Sequence, residues 1–356
     1  MCIIGRLHYY NLANAEWMRL FMSPFSLTSL NQTLIVAEIG NNHEGNISVA
    51  KEMVHAVAES GADVVKFQTF QTAYFINPEN EARYQRLKGF ELSYDQFAEL
   101  ATLARSLGLM FISTPLDLDS AIFLNGIVDF FKVASSDNTF YPLLDYIAQT
   151  DKAMVVSTGL ADLSVVSHTV DYIKRARHDR ALELALLHCV TSYPVPPEQA
   201  NLRAIRVLQD QFPDVVIGYS DHTMGNMACV LSVAFGVNII EKHFTLDHHY
   251  SDFRDHQLSA TPDEMRDLVR QVREAEVLLG KFDKQLQEVE VGVVEVLRRS
   301  IVAKHDLPSG HTLQMSDLAW TRPGDGLQAG QEHQVLGKTL AVNLKQGQRI
   351  SVTDFA

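Results

Sequence analysis

Cysteine is scarce in this chain of 356 residues: Cys2, Cys189 and Cys229 are its only thiols, at no repeating interval. That excludes a disulfide framework and suits reduced thiols in a cytosol. Also missing is any apolar run near the roughly 20 residues that a bilayer-spanning helix needs. The first thirty residues lack a basic stretch followed by an unbroken apolar core, so no signal peptide is expected. No lysine or arginine run suggests a basic patch, and 30 basic against 43 acidic side chains leave a net charge of -13, which argues against a nucleic-acid partner. An anionic substrate would have to be met by few, local positive charges. What remains, 46% hydrophobic and 21% charged, is an ordinary soluble globular composition with room for one large domain and a small one. Residues 1–32 read as an N-terminal extension without assigned function, in which Met18 and Met22 leave open a later start.

From Thr33 short runs rich in Val and Ile alternate with helical patterns. The strands read are 34–40, 63–70, 110–115, 130–135, 154–159, 184–190, 215–222 and 239–245. Nearly continuous apolar strands, each followed by a helix, imply parallel pairing buried on both faces. Eight such units over about 245 residues have the size of a (β/α)8 barrel, expected here over 33–280. A doubly wound open sheet is the alternative, but it seldom carries functional residues at the end of every strand.

Here the carboxyl ends offer Glu38, Lys66 with Gln68, Ser113 with Thr114, Lys132 with Ser135, Ser157 with Thr158, His188, Ser220 with Asp221 and His222, and Glu241 with His243. A single Ser or Thr there is more often a turn or helix cap, as in STGLADL. Two lysines at inward strand positions are harder to dismiss. A buried lysine is costly unless an anion or carboxylate meets it, so Lys66 and Lys132 together imply a bound anionic ligand. His222 and His243, at the ends of consecutive strands, can share one metal ion.

EIGNNHEGN (38–46), VVKFQTF (64–70), FISTP (111–115), LLHCVTSYPVP (186–196), IGYSDHT (217–223) and EKHFTLD (241–247) together resemble the sialic acid synthases, and the resemblance runs over residues 33–356. It implies a metal-dependent (β/α)8 barrel that condenses phosphoenolpyruvate with an acetamido-hexose to a nine-carbon 2-keto sugar acid, releasing phosphate. By that resemblance Lys66, Thr114, Lys132, Ser135, Ser157, Thr191 and Ser220 hold phosphoenolpyruvate. Gln68, Tyr193, Asp255 and Arg322 meet the sugar, Glu38, Asp137 and Lys66 carry the catalysis, and His222 and His243 ligate Mn2+ or Mg2+. Zn2+ with Cys189 as third ligand is the runner-up. Glu38 could equally be a plain ion pair at the barrel mouth, and Asp137 an N-cap for the helix near Tyr141.

Lys132 to Asp137 read KVASSD where the family tends to have KIGSGE, Thr191 replaces a common Asn, and the loop LDHHYSDFRDHQLS after His243 is not the usual proline-rich one. These departures leave open N-acetylmannosamine or a 2,4-diacetamido-6-deoxy sugar leading to a legionaminic- or pseudaminic-type acid.

Residues 281–296 lack the strand–helix rhythm and read as a linker. Beyond them DLPSGHTLQMSDL (306–318) is echoed by NLKQGQRISVTDF (343–355), which suggests a small pseudo-symmetric all-β module over 297–356. It resembles the antifreeze-like (SAF) domain of the family, so ice or carbohydrate binding is a reading from another functional class. The resemblance also implies a domain-swapped homodimer, with Arg322 of WTRPGDG reaching a partner's barrel across a linker that can span tens of Å. Arg322 as an ordinary surface arginine is the plainer alternative.

Overall fold

The computed structural model describes residues 25–178, 181 and 183–355. Cys2, Met18 and Met22 lie outside them. Contacts divide the chain into two compact units, Met1–Gly280 and Lys281–Ala356.

The first unit is a parallel eight-stranded barrel: β1 (Leu34–Gly40), β2 (Val64–Thr69), β3 (Met110–Pro115), β4 (Phe131–Val133), β5 (Met154–Ser157), β6 (Leu184–Cys189), β7 (Val216–Asp221) and β8 (Ile239–His243). Ladders run in the order β3-β2-β1-β8-β7-β6-β5-β4. Between β3 and β4 the ring is tied by Asp129, whose N–H donates to the Phe111 carbonyl (2.9 Å) and whose carboxylate accepts the Phe111 N–H (2.7 Å). Each strand matches a run expected from the sequence, shortened by up to three residues. Trimming falls at both ends: Asp63, Phe130 and Val215 drop from the amino-terminal ends, and residues such as Ser135, Thr158 and His222 from the carboxyl ends.

Helices follow the strands because local chemistry starts and stops them. Asn46 accepts the N–H groups of Ser48 and Val49 to begin Ile47–Ser60, and Gly61, at φ +83°, ends it. Ser93 with Gln96 and Thr261 with Glu264 form capping boxes for Tyr94–Ser106 and Pro262–Leu279. Asp162 caps Leu163–Ala176 through the Val165 N–H, so the cap within STGLADL is the Asp and not Ser157 or Thr158.

Strand alternation builds two cores. Side chains such as Ile35, Val65, Phe111 and Ile240 face the helices, while Leu34, Val36, Val64, Ile112, Val155, Leu187 and Ile239 fill the lower lumen. Leu27 belongs to that inner layer, Phe25 stacks on Phe130 at 4.7 Å, and the Leu27 N–H donates to Glu183 (2.8 Å). Residues 25–30, read above as part of an extension, therefore pack against the bottom of the barrel. Apolar side chains below leave the polar ones to the carboxyl ends.

In the second unit β9 (Ser300–Ala303) pairs antiparallel with β10 (Leu318–Thr321). The two halves of the repeat meet at equivalent positions: Leu307 and Leu344 exchange both backbone hydrogen bonds at 2.8 Å. Gly310 and Gly347 take positive φ at matching places, and the 3-10 turns Met315–Asp317 and Val352–Asp354 are equivalent too. The sequence echo is thus a structural pseudo-two-fold around Ile301, Leu307, Leu344 and Ile350. The segment read as a linker holds two single-turn helices, Glu288–Val291 and Val294–Leu297. No helix among the described residues is long and apolar enough to cross a membrane.

Candidate active site

At the carboxyl end of the barrel four buried charged groups meet. Lys66 Nζ lies 3.1 Å from Glu38 Oε2 and 3.5 Å from Glu241 Oε2, and donates to Thr114 Oγ1 at 3.1 Å. Lys132 Nζ donates to Ser157 Oγ (2.7 Å) and to the Val133 carbonyl (2.9 Å), and stands 4.0 Å from Glu241 Oε1. Ser220 Oγ donates to Glu241 Oε1 at 3.0 Å. The inference that two buried lysines require a bound anion is therefore corrected: two carboxylates of the chain itself meet them. Glu241 was seen at its strand end but given no role. Its two-residue spacing from His243 was the signal that both face inward.

The cluster separates its two carboxyls. Burial pushes Glu38 above the usual carboxylate range in spite of Lys66. Burial acts the same way on Glu241, but Lys132 and Lys66 together outweigh it and hold its carboxyl low. Lys132 is lowered by burial, whereas Lys66 is raised because Glu241 and Glu38 overcome its burial. Two like groups driven apart in this way suit one proton-exchanging and one permanently charged role.

Glu38 is held in place from both strands. It is registered with Lys66 on β2 and with His243 on β8, and a β-bulge separates it from Gly40. Gly40 has φ +55°, and a Cβ there would stand 3.1 Å from Glu38 Oε1. Gln68 Nε2 donates to Glu38 Oε1, and Gln68 Oε1 accepts from Asn41 Nδ2, both at 2.9 Å. Gln68, expected on the sugar, thus has both amide ends engaged in orienting Glu38.

Beside the lysines is a cradle of hydroxyls. The Gly159 N–H donates to Ser135 Oγ at 3.1 Å, and the buried Thr191 Oγ1 has no hydrogen-bond partner. A Cβ at position 159 would lie 2.3 Å from Thr191 Oγ1 and 2.7 Å from Ser135 Oγ, so only glycine leaves this space open. Asp137 ends the 3-10 turn Ser135–Asp137. Its carboxylate accepts from Ser136 Oγ (2.9 Å), and burial raises its pKa. The helix Tyr141–Ala148 is preceded by Phe140 with no side-chain cap, so Asp137 is not its N-cap.

The His222 and His243 rings stand 5.3 Å apart. His222 Nδ1 lies 2.8 Å from the Val190 carbonyl, which fixes the proton on Nδ1 and leaves a lone pair on Nε2. The buried His243 Nδ1 has no partner, and burial, with His222 and Lys66 nearby, drives that imidazole well below its usual pKa, toward the neutral form a ligand needs. On His222 burial is outweighed by Cys189 and the Val190 carbonyl, which raise its pKa, so of the pair His243 is the one driven to the neutral form. The orphaned nitrogen of His243 and the unengaged Nε2 of His222 fit an ion that keeps waters in its shell. Among the described residues no group of three His, Cys, Asp or Glu side chains is placed to hold an ion. Cys189 Sγ lies 3.8 Å from His222 Nδ1, the edge away from Nε2, which speaks against the Zn2+ alternative with Cys189 as third ligand.

Tyr193 covers this pair, its ring 4.2 Å from that of His222 and 5.9 Å from that of His243, and the Arg254 guanidinium sits 4.7 Å above it. Arg254 Nε is 3.4 Å from Asp255 Oδ1, and burial raises Asp255. Arg254 was not singled out in the sequence. Ser113, Thr158 and His188 turn away to Thr69 (2.7 Å), the Leu187 carbonyl (3.0 Å) and the Ala200 carbonyl (2.9 Å). Arg322 stands in the second unit, donates from Nε to the Leu297 carbonyl (2.8 Å), and lines a cavity of about 440 Å³ with Thr321, Pro323, Gln348 and Arg349.

The NeuB family profile matches residues 53–284 and the SAF domain profile residues 298–356. An uncharacterized protein of Methanocaldococcus jannaschii is 43% identical over 83% of this chain and 86% of its own length. The N,N'-diacetyllegionaminic acid synthase of Legionella pneumophila is 38% identical over 88% of this chain and 92% of its own. Among solved structures, the N-acetylneuraminic acid synthetase of Leptospira borgpetersenii in complex with citrate superposes with a TM-score of 0.69 at 31% identity, covering 74% of this chain and 91% of that one. The NeuB profile, matched over more than half of the chain, the relatives more than 30% identical over most of it and the SAF domain that follows in sequence show that this chain belongs to the NeuB family.

Proposed function

We propose that this protein condenses phosphoenolpyruvate with an open-chain acetamido-hexose to a nine-carbon 2-keto sugar acid and inorganic phosphate. The observation that carries this reading is the joining, at one barrel mouth, of two buried lysines, an open hydroxyl cradle at Gly159 and two paired imidazoles. Names of relatives support it.

Lys66, Lys132 and the hydroxyls of Thr114, Ser135, Ser157, Thr191 and Ser220 bind the carboxylate and phosphate of phosphoenolpyruvate, fixing its C3 toward the sugar. C3 attacks the aldehyde carbon, forming the new C–C bond, and the aldehyde oxygen takes a proton. Water adds at C2, giving up a proton, and collapse of the resulting tetrahedral centre breaks the C2–O bond to phosphate, which leaves with the proton of the C2 hydroxyl as the keto group forms. Asp137 and Glu38, both with raised pKa, are the groups that hold or release those protons. His222 and His243 would hold Mn2+ or Mg2+, which supplies Lewis-acid polarisation of the aldehyde when bound. Tyr193 and Asp255 border the sugar side, and Arg322 of the partner subunit completes it in a domain-swapped homodimer.

Two hexoses fit: N-acetylmannosamine, and a 2,4-diacetamido-trideoxyhexose leading to a legionaminic- or pseudaminic-type acid. Phosphate release from phosphoenolpyruvate with Mn2+ and each sugar in parallel tests the reading. Release with one of them establishes the substrate. Absence of release with every acetamido sugar, from folded protein supplied with Mn2+, sinks the proposal.

A further inference from the structure

The two residues that immediately precede the paired imidazoles are bound to each other. Along β7 and β8, Ser220 and His222 face the lumen with Glu241 and His243, so Asp221 and Lys242 face the opposite side. They are partners across the last registered rung of the β7–β8 ladder. Lys242 Nζ lies 2.8 Å from Asp221 Oδ2 and donates to the Thr223 carbonyl at 2.6 Å. Asp221 Oδ1 accepts the Thr223 N–H (2.8 Å) and the Tyr219 hydroxyl (2.9 Å), and Oδ2 accepts the Cys229 thiol (3.3 Å). Asp221 is 0% exposed and Lys242 1%, so the pair is sealed from solvent and from substrate alike.

A buried ion pair is a poor source of stability, because desolvating two charges cancels most of their attraction. Its position gives it another use. The ladder ends at Asp221 and Lys242, so beyond that rung no β7–β8 pairing fixes His222 against His243. The ion pair takes over: it grips Thr223 by both N–H and carbonyl, which brackets His222 between two held residues. His243 directly follows Lys242 and is registered with Glu38 on its other side. We propose that the Asp221–Lys242 pair is a positioning device that sets the spacing of the His222 and His243 imidazoles for one divalent cation. The inference rests on those imidazoles being the ligands, as read above.

The test is Mn2+ binding to the full-length protein without substrates, followed through the electron paramagnetic resonance signal of free Mn2+. Asp221→Asn/Lys242→Met removes both charges while keeping volume and the acceptor for Thr223. Lys242→Arg keeps the charge but forces a larger, planar head group into the sealed space between Asp221 and the Thr223 carbonyl, and serves if the double variant does not fold. Mn2+ affinity is expected to fall about 10- to 100-fold, the range for residues that orient metal ligands. Leu100→Ala, a cavity variant in the buried face of Tyr94–Ser106, lowers the melting temperature and leaves Mn2+ affinity unchanged. Undiminished affinity in a folded clamp variant, or an equal loss in Leu100→Ala, overturns the positioning role. His222→Ala is the separate arm: if it binds Mn2+ as tightly as the unaltered protein, the ligand assignment itself is wrong, and with it the clamp's purpose.

Discussion

Glu38 and Lys66 are registered across β1 and β2, with Oε2 and Nζ 3.1 Å apart in a site closed to solvent. Together with Glu241 and Lys132 they make a charge-balanced cluster, so an arriving phosphoenolpyruvate adds negative charge where none is missing. The carboxyl already pushed up by burial is Glu38, and a nearby anion pushes it further in the same direction. Phosphoenolpyruvate binding near neutral pH should take up as much as one proton, measured by calorimetry in buffers of different ionisation heat. Glu38→Gln should bind without uptake; equal uptake by both proteins would place the proton elsewhere.

Gly159→Ala puts a methyl group 2.3 Å from Thr191 Oγ1, into the cradle assigned to the anion. The Michaelis constant for phosphoenolpyruvate should rise at least about tenfold, equivalent to roughly 1.4 kcal/mol, while that for the sugar moves little. Steady-state kinetics with each substrate varied in turn checks this. A rise confined to the sugar would put the cradle on the wrong substrate.

His43 links stability to pH. It is buried, its Nδ1 accepts the Gly45 N–H at 3.0 Å, and burial lowers its pKa from 6.5 to about 4. A histidine with a depressed folded pKa contributes stability that is complete above its unfolded pKa and is lost as pH falls through the interval from about 6.5 to 4. The loss attributable to this group approaches about 3 kcal/mol, and His43→Asn should lack it. Urea unfolding of both proteins at pH 7 and pH 4.5 gives the comparison. The same pH slope in both would mean that His43 is not the group responsible.

Asp137→Asn should lower turnover by about two to four orders of magnitude with phosphoenolpyruvate binding retained. Arg322→Ala should be comparably impaired if the partner subunit supplies that arginine. Mixing the two variants under conditions of confirmed subunit exchange should restore up to one working site per mixed dimer, because one barrel then has its own Asp137 and Arg322 of the partner subunit. A mixture no more active than its parents rules out completion in trans.

The barrel was legible in the sequence because its strands are buried on both faces and so read as unbroken apolar runs. The repeat of the second unit was legible because Leu307 and Leu344, Gly310 and Gly347, occupy equivalent places in a pseudo-two-fold. The polar strand ends pointed to Lys66, Lys132, His222 and His243 for the same reason: ionisable residues interrupt apolar strands only where something needs them. What the sequence could not decide is which side of each strand a polar residue takes and whom it meets there. Ser113, Thr158 and His188 look like Thr114, Ser157 and His222 on the page, yet one step in a period of two turns them to backbone and neighbouring hydroxyls. The same step sends Asp221 and Lys242 behind the sheet and Glu241 into the lysine cluster. Closure of the ring decided the rest, because bringing β1 and β2 beside β8 and β7 is what sets Glu38 between Lys66 and His243, residues separated by most of the barrel's sequence.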